Sequence, residues 1–346
     1  MAVTIRDVAN AAGVSPMAVS KVLHGKGANV RVGKDTADVI RKIAQDLQYQ
    51  PNALARSFRL RRTNTIGLVF ENWTRVSDGS QYFAHLLDGI TSSAFPRGYA
   101  VTICPQLSNV SSGESLNDGR FDGLIWAKFE STRENLQVLE RGRTPMVLLH
   151  ASSPEITRRG VNTVCCENRQ AMRQAVDHLV RLGHRRVAFV APQEIEHNDE
   201  TVFRIEGIRQ AMKAHGLPFG DGDVLNWDYA SEEFGDWWAT KPPHTALTLR
   251  SESQAGTIYV EAAKFGVRVP DDLSIVGFDS TAYCETLSPK LTAISQPIED
   301  MAHRATDLLL AIIEGRDHLP AADHVFPCGF DIRESTARPS LKAEEN

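Results

Sequence analysis

Pro16, Met17, Ser20 and Lys21 fall inside the run Ser15-Pro16-Met17-Ala18-Val19-Ser20-Lys21-Val22-Leu23. Together they offer an ammonium that can reach a guanine N7 or O6, a hydroxyl that can donate or accept, and an apolar side chain suited to a thymine methyl. That is the chemistry of reading base edges. Arg56, Arg59, Arg61 and Arg62, further along, supply cations for nearby phosphates. Other chemistry is not written in the chain. It has no G-x-S-x-G elbow, no P-loop, no G-x-G-x-x-G after a strand and no H-E-x-x-H, so no enzyme, no cofactor and no metal is expected. The five cysteines (Cys104, Cys165, Cys166, Cys284, Cys328) make no CxxC pair and no zinc spacing. They read as reduced, mostly buried thiols, with a switch at the adjacent Cys165 and Cys166 as the alternative.

Two short helices must present the base-reading residues. Thr4 caps the first, with Asp7 three residues on in a capping-box position, and Ile5, Val8 and Ala9 give it one apolar face. Gly13 supplies the turn. Ser15-Pro16 is an N-cap followed by proline at the first helical position, where its missing N–H costs nothing. The second helix buries Ala18, Val19, Val22 and Leu23 and turns Pro16, Met17, Ser20 and Lys21 outward, as a recognition helix does in a major groove. A third helix is expected from about Lys34 to Gln48 on a stripe of Val39, Ile40, Ile43, Ala44 and Leu47. From Asn64 onward apolar strand runs (Ile66–Phe70, Tyr99–Cys104, Gly123–Ala127, Met146–His150, Val187–Ala191, Ala246–Leu249, Leu273–Phe278) alternate with amphipathic helices such as Tyr82–Phe95. The alternation predicts parallel sheets covered on both faces, and there are too many strands for one sheet of usual size, so two lobes.

The formal charge of −5 is unevenly spread: residues 1–62 hold 11 Lys or Arg against 4 Asp or Glu, and the rest 27 against 39. A basic module on an acidic body suits phosphate contact by one part and solubility by the other. No apolar run reaches membrane-spanning length and no secretion signal opens the chain, so a cytoplasmic protein with no membrane partner is expected.

The opening segment closely resembles the headpiece of the LacI family of bacterial transcription regulators. The resemblance continues through Gln48-Tyr49-Gln50-Pro51-Asn52-Ala53-Leu54-Ala55-Arg56-Ser57-Phe58 and Thr65-Ile66-Gly67-Leu68-Val69, and resumes at Asn168–His184, Asp272–Asp279 and Arg333-Glu334-Ser335-Thr336-Ala337-Arg338-Pro339. It implies a small all-α helix-turn-helix headpiece (1–50), a hinge helix and linker (51–62), and an α/β two-lobed periplasmic-binding-protein-like core with parallel sheets (63–346). One lobe would hold about 63–164 plus 296–323 and the other about 165–295 plus 324–340, with crossovers near Cys165, Ser295 and His324. The family pattern puts base reading on Pro16, Met17 and Lys21, with Ser20 also at the groove. Thr4, Arg6, Ser15, His24, Tyr49 and Asn52 are candidates for phosphate or flanking contacts. The hinge would fold on DNA and wedge Phe58 into the minor groove, with Ala55 allowing close approach and Arg59 at the phosphates.

The same resemblance implies a ligand cleft at the carboxyl ends of the strands. Arg204 and Asp279 match positions that commonly grip the ligand, Glu71 and Trp73 follow the first strand, His150 ends another, and Trp227 and Ser251 join them. For Trp73, Trp126, Trp227 and His150, core packing is the open alternative. A guanidinium, a carboxylate and indoles suit a sugar or sugar derivative. Ser251-Glu252 stands where the family usually has Asn-Asp, Lys21 where it often has Arg, and a three-residue extension lies within Gly25–Arg31. The function implied is a ligand-responsive repressor, most simply of carbohydrate-utilisation genes, that binds a pseudo-palindromic operator as a homodimer. A solute-binding protein of the same core fold is the alternative. No heptad stretch follows Pro339, so a dimer is expected rather than a tetramer built on a C-terminal bundle.

Overall fold

The computed structural model describes residues 3–24, 31–50, 62–70, 80–104, 116–152, 154–191, 199–227, 233–316 and 320–340. The chain divides into two compact units, Met1–Thr63 and Asn64–Asn346.

The first unit is built from α1 (Ile5–Ala12), α2 (Pro16–His24) and α3 (Lys34–Asp46). Their core is Val8, Ala9, Val19, Ile40 and Ala44, with Val22, Leu23 and Ile43 packed against it. The start signals act as read. The Asp7 N–H donates to Thr4 Oγ1 (3.4 Å) while the Thr4 N–H donates to Asp7 Oδ2 (2.8 Å). Ser15 Oγ accepts from the Ala18 N–H at 3.2 Å, and Gly13 takes the left-handed backbone (φ 64°) that ends α1. The stripe on α3 is narrower than expected. Val39 is 49% exposed and Leu47 37%. At about 100° per residue, Val39 is rotated off the line through Ile40 and Ala44, and Leu47 stands just past the last turn.

The second unit contains two six-stranded sheets. The first uses β1 (Thr65–Phe70), β2 (Ala100–Cys104), β3 (Gly123–Ala127), β4 (Met146–Leu149), β5 (Asn162–Cys166) and, late in the chain, β11 (Asp323–Phe326), in the order β11-β5-β4-β3-β1-β2. The second uses β6 (Val187–Ala191), β7 (Val224–Asn226), β8 (Ala246–Leu249), β9 (Ser274–Asp279), β10 (Thr292–Ser295) and β12 (Gly329–Asp331), in the order β12-β10-β9-β8-β6-β7. Every pairing is parallel except β10 with β12. The inner strands β1, β3, β6 and β9 bury both faces, as parallel sheets require.

Between the strands run α4 (Ser80–Ala94), α5 (Arg133–Arg141), α6 (Pro154–Arg158), α7 (Asn168–Leu182), α8 (Asp199–Ala214), α9 (Glu233–Ala239), α10 (Ser253–Lys264), α11 (Tyr283–Thr286) and α12 (Ile298–Ile313). Helices α4 and α12 pack so closely that a Cβ on Gly89 would lie 2.3 Å from the Glu299 carbonyl oxygen. The chain passes between the lobes after Cys166, after Ser295 and after Phe326. Breaks at 164/165 and 323/324 would instead cut β5 and β11, because Cys165 and Cys166 still pair with Val325 and Phe326.

Candidate functional site

The exposed face of the headpiece carries most of the expected DNA-reading groups. Met17 is 60% exposed, Pro16, Arg6, Thr4 and Ser15 are exposed, and Lys21 and His24 are partly so. The Thr4 and Ser15 hydroxyls already serve as helix caps. Tyr49 packs on the headpiece core with its ring 6.4 Å from that of His24, joining two flanking candidates into one pair. Ser20 is a correction: it is only 6% exposed and lies on the same inward arc as Ala18 and Val19. The outward arc of α2 is therefore Pro16, Met17 and Lys21. Asn52, Ala55, Phe58 and Arg59 in the linker, and Glu71 and Trp73 after β1, lie outside the described residues.

The core unit builds its candidate site where strands of the two lobes end facing one another. At the carboxyl ends of β3, β4 and β9 the backbone turns left-handed at Lys128 (φ 55°), His150 (φ 63°), Asp279 (φ 94°) and Ser280 (φ 51°). None of these is glycine, and each such conformation costs about 1–3 kcal/mol, which the surrounding structure must offset. The ladder does so in part: the Lys128 N–H donates to the Leu149 carbonyl (2.9 Å) and the His150 N–H to the Val164 carbonyl (2.7 Å). Strain concentrated at strand ends beside a cavity is the mark of a site held in one geometry.

Helix α8 crosses this cleft with Glu200 and Arg204 one turn apart on the same face. Gly207 makes that placement possible. A Cβ there would meet the Arg169 carbonyl oxygen at 2.5 Å, so only glycine lets α8 lie so close to the start of α7. Arg204 is consequently over-determined: its Nε donates to Asn168 Oδ1 (2.8 Å), its Nη1 to the Arg250 carbonyl (2.5 Å), and its guanidinium lies 3.5 Å from the centre of the Phe278 ring. Glu200 Oε1 sits 3.7 Å from the Arg204 guanidinium and 3.2 Å from His150 Nδ1, while His150 Nε2 hydrogen-bonds the Tyr82 hydroxyl. An ionised carboxylate only accepts, so His150 Nδ1 carries the proton shared with Glu200, and in the neutral ring Nε2 accepts from Tyr82. Burial alone would push the Glu200 carboxyl up, but His150, Arg204 and Lys128 outweigh it and hold it down to about 2. Burial, with the Arg250 charge adding to it, pushes the Lys128 ammonium down to about 8.

Asp279 faces the same space. Its Oδ2 accepts from Ser251 Oγ and its Oδ1 from Gln296 Nε2, both at 3.1 Å. Gln296 is 6% exposed, and its Oε1 has no hydrogen-bond partner among the described residues. The cavity is bordered by Tyr82, Lys128, Arg204, Ser251, Asp279 and Gln296 and, with the lobes as they stand here, has a volume of about 20 Å³, room for about one water molecule. It can donate from an ammonium and accept at a carboxylate and an amide oxygen, so a ligand dense in hydroxyls can satisfy both sides. Among the described residues no group of three or more His, Cys, Asp or Glu is arranged to hold a metal.

Of the cleft residues read from the chain, Arg204, Ser251 and Asp279 meet at this cavity, and His150 buttresses it through Glu200 and Tyr82. Trp227 does not border it. Its ring packs edge-on against Phe234 and Trp237 in the apolar cluster of the second lobe. Trp126 is fully buried against Phe129 in the first lobe. Lys128, Glu200, Tyr82 and Gln296 were not read from the chain. Lys128 directly follows a buried strand run, and Glu200 stands four residues before Arg204, so both carried a signal. Gln296 follows a strand too short to be read, and Tyr82 looked like one more apolar residue of α4.

A helix-turn-helix headpiece followed by a two-lobed α/β core with a polar cleft between its sheets defines a DNA-binding regulator built on one chain. Residues 4–52 match the pattern of "Bacterial regulatory proteins, lacI family", and residues 176–336 that of the "Periplasmic binding protein-like domain". Catabolite control protein A of Priestia megaterium is 28% identical over 344 residues, covering 97% of this chain and 100% of the relative. Among solved structures, a transcriptional regulator CelR–cellobiose complex aligns at 25% identity and TM-score 0.72, covering 96% of this chain and 99% of that one. The lac repressor dimer bound to operator and an anti-inducer shares the fold, with TM-score 0.80 at 22% identity over 97% of this chain and 100% of its own. The chain belongs to the LacI family of bacterial transcription regulators, and is a DNA-binding regulator of transcription. No helix among the described residues is long and apolar enough to cross a membrane.

Proposed function

We propose that this regulator is a cytoplasmic, ligand-responsive repressor of carbohydrate-utilisation genes that binds a pseudo-palindromic operator as a homodimer. The observation that carries the reading is the strained, polar cleft: Lys128, Asp279 and Ser280 in left-handed backbone, opposite an Arg204 held by Asn168, the Arg250 carbonyl and the Phe278 face. A sugar or sugar derivative suits it. Its hydroxyls donate to Asp279 and to the otherwise unpaired Gln296 Oε1, and accept from Lys128. That a relative with 25% identity was solved as a cellobiose complex supports the ligand class.

On the DNA side, Pro16, Met17 and Lys21 contact base edges in a half-site, and two-fold symmetry of the dimer pairs two half-sites. Arg6, His24 and Tyr49 position the module on phosphates, with Asn52 at the start of the linker. Ala55, Phe58 and Arg59 form the minor-groove hinge, with Phe58 wedged between base steps at the centre. Ligand binding changes the closure of the two lobes, and through it the affinity for operator. The test has two stages. Selection of bound sequences from a random duplex pool at near-physiological salt is expected to enrich a two-fold symmetric site with a flexible central step. A panel of mono- and disaccharides, sugar acids and sugar phosphates is then screened by thermal shift and by displacement of that DNA. Enrichment of no symmetric site, with or without the panel, would overturn the operator reading, and a sugar that binds without moving DNA affinity would overturn the coupling.

A further inference from the structure

Three cationic residues border the cleft cavity, Lys128, Arg204 and Arg250, against two carboxylates, Glu200 and Asp279. The wall therefore carries one positive charge in excess. Glu200 is already engaged, by His150 at 3.2 Å and by Arg204 at 3.7 Å. Arg204 is engaged as well, by Asn168, the Arg250 carbonyl and the face of Phe278. Asp279 accepts from two neutral groups, Ser251 Oγ and Gln296 Nε2. The Lys128 Nζ lies 4.5 Å from the centre of the Tyr82 ring, a face that attracts a cation without supplying a negative charge. Burial and then the Arg250 charge push the Lys128 ammonium down to about 8, and Asp279 and Glu200 do not make up the loss.

Asp279 and Gln296 also border a second, more open space of about 250 Å³. The two spaces differ in size and in sign. The inner one holds about 20 Å³ and has the cationic wall, whereas the outer wall carries Asp279, Glu299 and Asp300 against His85. At their common border stands Gln296 Oε1, a buried acceptor with no hydrogen-bond partner among the described residues. A ligand that suits both spaces is anionic at one end and rich in donating hydroxyls at the other.

We propose that the ligand of this cleft is a sugar acid, with its carboxylate seated in the inner space on Lys128 and Arg250 and its hydroxyls turned to Asp279, Gln296 and the outer space. The proposal rests on the sugar-binding reading of the cleft given above and narrows it to one class of sugar.

Charge and size both select the carboxylate. A neutral sugar displaces water from the inner space and leaves the excess positive charge there without a counter-ion, and an uncompensated buried charge is costly. A carboxylate supplies that charge, and its two oxygens can accept separately from an ammonium and a guanidinium. A phosphate brings about −1.5 to −2 charges and a tetrahedral set of oxygens, more charge than the wall lacks and more bulk than the inner space takes readily. In the outer space the acidic wall repels a second anion and accepts from hydroxyls.

The test uses the full chain and matched ligands: glucose with glucuronate and gluconate, galactose with galacturonate, and glucose-6-phosphate as the tetrahedral anion. Each is titrated by calorimetry near neutral pH at fixed ionic strength. At least one acid is expected to bind the wild type at least about tenfold more tightly than its neutral parent, the effect of one charge-assisted hydrogen bond. Lys128→Met is expected to erase that preference, weakening the acid by about tenfold or more and the neutral sugar by less than about threefold. Lys128→Arg, which keeps the charge, should keep the preference. A neutral sugar that binds the wild type as tightly as its acid would overturn the proposal without reference to any variant, and would leave the sugar-binding reading standing. So would tighter binding of glucose-6-phosphate than of every acid, or an acid preference that survives in Lys128→Met. If no acid and no neutral sugar of the set binds, the sugar-binding reading fails and the proposal with it.

Discussion

Glu200→Gln removes one buried charge while keeping the side chain's size, and its consequence can be worked out from the cleft. The carboxylate is surrounded by His150, Arg204 and Lys128, which together hold it down to about 2 against the opposing effect of burial. In the unfolded chain the same group titrates at its ordinary 4.5. A folded-state value below the unfolded one means that the contribution to stability is complete above about pH 4.5 and is lost as pH falls toward about 2. At about 1.4 kcal/mol per pH unit, the separation corresponds to about 3 kcal/mol. The assay is urea unfolding of the wild type and Glu200→Gln across a pH series from about 6 to about 3. Near neutrality the variant is expected to be less stable by about 3 kcal/mol or more, since it also leaves Arg204 short of a counter-charge. As the pH drops below about 4.5 the gap should narrow by up to about 1.4 kcal/mol per unit, because the wild type is losing what the variant never had. A gap that stays constant through that range would refute the reasoning, whatever its size, since a purely steric cost of glutamine does not titrate.

The other expectations concern separate parts of the chain. Lys21→Ala should relax specificity at one base position of the selected operator, at a cost of about 1–3 kcal/mol for the preferred base, measured by competition between single-base variants; equal weakening on all sequences would mark Lys21 as a phosphate contact. Asp279→Asn should weaken the selected sugar by about tenfold to hundredfold, by titration calorimetry, while leaving operator affinity in the absence of ligand unchanged. Burial and the Arg250 charge hold the Lys128 ammonium down at about 8, so affinity for a ligand that accepts from it should fall as pH rises through that value, and Lys128→Met should remove this dependence. Gly89→Ala should destabilise the core by about 1–3 kcal/mol in urea unfolding, because the new methyl meets the Glu299 carbonyl on the facing helix.

What the chain disclosed in advance follows from how local each signal is. The headpiece was legible because caps, a turn glycine and a short apolar period are all written within a few residues, and Thr4, Gly13 and Ser15 do in the structure what their types dictate. Ser20 was misplaced because a nine-residue helix offers few turns from which to fix the phase of its buried arc. In the core, long apolar strands such as Gly123–Ala127 and Val187–Ala191 were read to the residue, whereas Asn162–Cys166, Thr292–Ser295 and Asp323–Phe326 were not. Those three are short or interrupted by polar side chains, and they are strands because their neighbours in the sheet make them so. They are also where the chain changes lobes, so the crossovers were the least visible part of the fold. Arg204 and Asp279 were found through the family resemblance, while Lys128 and Glu200, equally close to the cavity, belong to no motif, and the faint signal each carried, a place after a strand run and one turn before Arg204, gains its meaning from the sheet and helix that bring them together.

The same geometry bears on how, in the proposed function, a ligand signal would leave the cleft. Arg204 belongs to the second lobe through α8, yet its Nε is bonded to Asn168, whose amide reaches back to the carbonyl of Cys166, the last residue of a first-lobe strand. His150 and Lys128 belong to the first lobe, and both act on Glu200 of α8. A ligand that competes for Arg204 or neutralises Lys128 must therefore disturb groups on both sides of the crossovers at once, since the interior there is packed without slack and each polar group has few alternative partners. Two lobes that share one buried charge network across their passages cannot rearrange independently. On the proposed function, ligand chemistry becomes lobe movement because Glu200 and Asn168 of the second lobe, each tied to Arg204, are also bonded to His150 and to the Cys166 carbonyl of the first.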